Sequence, residues 1–71
     1  MSAISDAVDL VLASVVFREP VSHEDCRQVR DAMRAIVPEA KIEVYYVPGE
    51  VRVLAEFGET VKRTAKILPS T

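Results

Sequence analysis

The run from Lys41 to Phe57, KIEVYYVPGEVRVLAEF, constrains this chain more than any other stretch. Ile42, Val44 and Tyr46 alternate with Lys41, Glu43 and Tyr45. Beyond Pro48-Gly49, Val51, Val53, Ala55 and Phe57 alternate with Arg52, Leu54 and Glu56. A period of two is the mark of a half-buried strand, and two such runs around a turn dipeptide make a hairpin. With Val47-Pro48-Gly49-Glu50 at the turn, Tyr46 opposes Val51, Val44 opposes Val53 and Ile42 opposes Ala55. The other face then pairs Tyr45 with Arg52, Glu43 with Leu54 and Lys41 with Glu56, the last an opposite-charge pair. A slip of one residue would scramble both faces, so the register is strongly specified. An L-Pro-Gly pair favours a type II turn, which fits strand twist poorly in a two-residue loop. A four-residue loop is therefore expected.

A helix precedes the hairpin, after a stop at Glu19-Pro20. Ser22 is a good N-cap with Asp25 three residues on, which approximates a capping box. Val21 and Cys26 stand where a hydrophobic staple forms, and Glu24 and Asp25 suit the positive end of the helix dipole. Cys26, Val29, Met33 and Ile36 repeat at helical spacing and form one apolar stripe. Pro38 disfavours helix at Val37 and ends the element.

The two flanks read less sharply. In residues 2–18, Ile4, Val8, Val11, Leu12 and Val15 recur at helical spacing, yet the run is rich in valine and ends in Phe17. A stretch that is apolar on nearly all sides suits a central strand, so a strand over about 10–18 is expected, after a helical turn near Ser2–Asp9. The alternative is a first helix through Ala13 or beyond. In the tail, GETVKRTAKILPST, Val61, Ala65 and Ile67 share a strand face, while Thr60 is also a workable helix cap. Strand is preferred. A two-residue turn at Gly58-Glu59 would set Lys62 opposite Ala55 on the core face, which requires a bulge.

Strand, helix, strand, strand is the first part of a split βαβ unit. The expected fold is thus a small α+β domain over residues 1–71, a ferredoxin-like half of order β-α-β-β plus a C-terminal strand or short helix. Its capped helix would lie on an antiparallel sheet. Strand one would pair beside strand three in the middle, with its outer edge either filled by residues 60–68 or free for another chain.

Composition narrows the function. A chain of 71 residues buries only about 60% of its unfolded surface, so association is a natural source of stability. An apolar share of 49% is enough for a core, and only Phe17, Tyr45, Tyr46 and Phe57 are aromatic. A net charge of −2 argues against a general polyanion binder. The single cysteine, Cys26, forms no disulfide within the chain and favours a reducing compartment. Residues 7–17 are too short to span a bilayer and lack a signal-peptide pattern, so a cytoplasmic protein is expected.

His23 and Cys26 are the only residues here with metal-ligand chemistry at a workable spacing. Their place at the opening of the helix resembles the heavy-metal-associated domain, whose M-x-C-x-x-C loop opens the first helix of a βαββαβ fold. On that resemblance, over residues 10–57, Val21 stands for the Met, His23 for the first Cys and Cys26 for the second. It implies metal handling, with one thiolate missing from the pair. The plainer reading makes Cys26 a small buried hydrophobe and His23 a solvated first-turn residue. No orienting group, oxyanion site, Gly-rich loop or paired carboxylates accompany the Cys–His pair, so no catalysis and no cofactor are expected.

Arg27, Arg30 and Arg34 recur at i, i+3, i+7 on the helix side away from the expected core. They suit an acidic partner or phosphate, but Glu24 and Asp31 partly neutralise them and no aromatic residue offers a stacking platform, so nucleic acid is disfavoured. Tyr45, Val47, Arg52 and Leu54 gather on the hairpin face away from the helix, ringed by Lys41, Glu43 and Glu56. That pattern fits a contact patch. The expected function is a non-catalytic protein-interaction module: an adaptor, subunit or inhibitor. It would homo-oligomerise or dock on a larger protein through its sheet face and open strand edge. Metal binding through His23 and Cys26 is the alternative.

Overall fold

A computed structural model describes residues 2–70. The elements run α1 (Ala3–Ala13), β1 (Phe17–Arg18), α2 (His23–Ile36), β2 (Lys41–Val47), β3 (Glu50–Glu56) and β4 (Thr60–Leu68). The fold is a small α+β arrangement of two helices on a four-stranded mixed sheet of order β1-β4-β3-β2. Its element order, α-β-α-β-β-β, departs from the expected ferredoxin-like β-α-β-β start.

The departure begins at the N-terminus. The chain is helical over Ala3–Ala13, and only Phe17–Arg18 pair as a strand, in place of a strand over 10–18. Ser2 caps this helix, its Oγ accepting from the Ser5 N–H at 3.1 Å. Ile4, Ala7, Val8 and Val11 then fall on one buried face, at i, i+3, i+4 and i+7. Valine's weak strand preference yields to burying that face against the sheet.

In α2 the capping box forms in full. Ser22 Oγ accepts from the Asp25 N–H at 3.3 Å, and Asp25 Oδ2 accepts from the Ser22 N–H at 2.9 Å. Cys26, Val29 and Met33 are buried, and Val21 packs against the core beside them. Ile36, expected in the same stripe, is 47% exposed; Val37, just past the helix, is buried instead. The chain leaves the helix at Val37, and its non-helical backbone turns that side chain inward.

The hairpin register is the expected one, from Lys41↔Glu56 through Tyr46↔Val51. The pairing continues to Val47↔Glu50, so the connection is the two residues Pro48-Gly49 and not the expected four. Gly49, at φ 89°, supplies the left-handed residue of a tight turn after proline. The next connection spans Phe57 to Glu59 with Gly58 at φ 77°, and sets Val61, not Lys62, opposite Ala55. The extra loop residue keeps Lys62 out of the core.

β3 and β4 therefore occupy the middle of the sheet. The short β1 runs parallel to β4 at Phe17↔Ile67 and Arg18↔Leu68 and does not lie beside β3. A hairpin partner next in sequence takes β3's second edge before β1 can, because short connections favour antiparallel neighbours. Ile42, Val51, Val53, Ala55 and Val61 are buried on the helix-covered face, and their alternates are not. Tyr46 and Phe57, expected on that face, lie at its ends and are 38% and 45% exposed.

Candidate protein-interaction surface

The sheet face away from both helices carries the expected patch. Register sets Arg52 between Tyr45 and Thr64, Leu54 between Glu43 and Lys62, and Glu50 between Val47 and Lys66. Tyr45 is 46% exposed, while Val47 and Leu54 are half-buried by their neighbours. Arg52 donates to Glu50 Oε1 from Nη2 at 2.9 Å and from Nε at 3.3 Å. Its guanidinium pKa is raised, first by the hydrogen bonds to Glu50 and then by the neighbouring Tyr45 hydroxyl. Arg52 and Glu50 thus stand paired beside Tyr45, and the patch is a polar–apolar mosaic. Its third row, Thr60, Lys62, Thr64 and Lys66, comes from β4. Sequence reading preferred a strand for the tail but set strand one, not the tail, beside β3, so this row was missed.

Arg63 falls on the opposite face of β4. It donates to Asp9 Oδ1 at 3.0 Å and to Ser5 Oγ at 3.2 Å, tying β4 to α1. The residues are 54 and 58 positions apart, and no local pattern links them.

The arginines of α2 do not sit directly opposite the sheet. They run along its edge, beside β2. One recess is lined by His23, Cys26, Arg27, Arg30 and Val44, and a second brings Arg34 beside Ala40, Lys41 and Ile42. His23 extends the stripe at the next helical position, its ring 5.6 Å from that of Tyr46 and tilted 52°. The spacing of 23, 27, 30 and 34 carries this signal, but a residue count does not say which neighbour a helix flank faces. Arg27 pairs with Glu24 at 3.2 Å, both exposed, and the half-buried Arg30 with the exposed Asp31 at 3.4 Å. Among the described residues Arg34 makes no ion pair, and Arg30 Nε is buried without a hydrogen-bond partner.

Cys26 is 4% exposed and free. Burial first, then the Asp25 carboxylate, pushes its thiol above the ordinary 9.0. Both effects oppose the helix dipole, so the sulfur keeps its proton at neutral pH. His23 shares the recess, with Arg27 and Arg30 adding positive charge beside it. No group of three or more His, Cys, Asp or Glu side chains converges among the described residues. Cys26 is expected to react with a disulfide reagent at least about a hundredfold faster in denaturant than in the folded chain at neutral pH. Equal rates, read from released thiolate absorbance, would show that the helix start is open. Because the folded pKa is the higher one, the contribution to stability is full below 9.0 and declines as pH rises through the folded value.

No helix among the described residues is long and apolar enough to cross a membrane. Comparison of the chain with protein-family models, curated proteins and solved structures finds no match in any of the three.

Proposed function

We propose that the protein is a non-catalytic interaction module. It associates with itself or docks on a larger protein through the outer sheet face around Tyr45, Val47, Arg52 and Leu54, and through an open strand edge. The observation that carries this reading is the one-sided architecture: both helices lie on one face, and the reverse of the sheet is uncovered. Two packed layers are the minimum for a core, and a third layer is the natural place for a partner. The face mixes a tyrosine, half-buried aliphatic side chains and held charges, which matches the composition of reversible interfaces.

The test replaces Tyr45 and Leu54 together by Asp. Both point away from the core, so the thermal midpoint should stay within a few degrees by circular dichroism. Self-association, measured by sedimentation of wild type and variant over a wide concentration range, should be lost. For the docking form, a partner retained by wild-type chain from its own cell extract should be released. Unchanged assembly and unchanged retention would reject the outer face.

A further inference from the structure

We infer that the free edge of β2 receives an extended acidic segment of a partner protein as an added strand, its carboxylates facing Arg27, Arg30 and Arg34. This deepens the interaction-module reading and rests on it. The edge is available. β2 is the last strand of the sheet, and among the described residues nothing pairs with its outer side. The phase of the ladder says which groups are open. Val47 and Glu50 flank a two-residue turn, so that pair exchanges both hydrogen bonds. Alternation then turns the N–H and C=O groups of Ile42, Val44 and Tyr46 outward. The Ile67 N–H donating to the Gly49 carbonyl at 3.0 Å, across β3 and β4, has the same phase.

The chemistry beside the edge specifies the occupant. α2 runs antiparallel to β2, with His23 against Tyr46 at one end and Arg34 beside Ile42 at the other. Arg27 to Arg34 covers about 10 Å at 1.5 Å per residue. Alternate residues of a strand are about 6.7 Å apart, so acidic residues at i and i+2 span most of that stripe. The Arg27–Glu24 pair is exposed and the Arg30–Asp31 contact is long at 3.4 Å, so both are weak and exchangeable for a partner's carboxylate. Arg34 makes no ion pair among the described residues, so its donors are open to the incoming carboxylate. A second copy is disfavoured at this edge, since a two-fold β2–β2 pairing would bring the two arginine stripes together. The open part of the β4 edge is the weaker candidate, because Arg63 there is already held by Asp9 and Ser5.

The test titrates the full chain with soluble peptides of about nine residues, alternating glutamate with threonine in one and lysine with threonine in the other. The glutamate peptide should bind, more weakly as salt rises, and the lysine peptide should not. Amide exchange should slow at Ile42, Val44 and Tyr46. Arg30→Gln with Arg34→Glu should weaken binding about tenfold, and Val44→Pro, which removes an outward N–H at an edge, should abolish it in a chain that still shows native circular dichroism. Absence of binding, equal binding of both peptides, or protection confined to the outer face would overturn the inference. So would tighter arginine-dependent binding of oligouridylate, which would make the stripe a nucleic-acid contact. Loss of association in the Tyr45→Asp, Leu54→Asp chain with no glutamate-peptide binding sinks the edge assignment alone. Peptide binding in a chain whose association ignores those substitutions sinks the outer face alone.

Discussion

Val8→Asp is expected to leave the chain largely unfolded, while Leu10→Asp, two residues on, should leave it folded. Val8 is fully buried on α1 and faces the sheet; Leu10 is 64% exposed. A carboxylate at Val8 would have no partner among Ile4, Ala7, Val11 and the strand residues around it. An unpaired buried charge costs about 3–5 kcal/mol. A chain of this length has roughly 4–10 kcal/mol in total. Leu10→Asp should change stability by about 1 kcal/mol or less, the scale of helix propensity and surface substitution. Urea midpoints read both. The pair also discriminates conformation: in a strand, residues 8 and 10 would share a face and the two substitutions would act alike. Equal damage would therefore reject α1 as a helix.

The second large effect is expected at Met33. It is fully buried where α2 meets the sheet, so Met33→Ala should cost about 2–5 kcal/mol through lost transfer energy and the cavity left behind. Ile36→Ala should cost about 1 kcal/mol or less, since Ile36 is half in solvent and alanine is the better helix former. By periodicity alone the two residues are equivalent members of one stripe. A similar loss from both would mean that α2 continues against the sheet past Met33, contrary to the inward turn at Val37.

Those contrasts mark where local pattern was informative. Ser22 and Asp25 satisfy each other's backbone N–H groups within one turn, so their role was legible from four adjacent residues. The β2–β3 register was legible too, because strict alternation leaves only one pairing that keeps both faces intact. The outer patch followed from that register: Tyr45, Arg52 and Leu54 stand where alternation put them. The length of the Pro48-Gly49 connection was not legible, since propensity for a turn type is a small energy beside a full ladder of cross-strand pairs.

What the sequence by itself determined, then, is the capped helix, the hairpin and the two faces of that hairpin, because each is set by interactions among near neighbours. The tertiary structure decided the rest. α1 is a helix because Ile4, Ala7, Val8 and Val11 find one apolar surface to share, and β1 pairs with β4 because β4 already fills the edge of β3. The basic stripe lies along β2 because α2 sits over that strand and overhangs its free edge. All of these depend on contacts between residues far apart in the chain, whose energies become available only when the two layers close on each other.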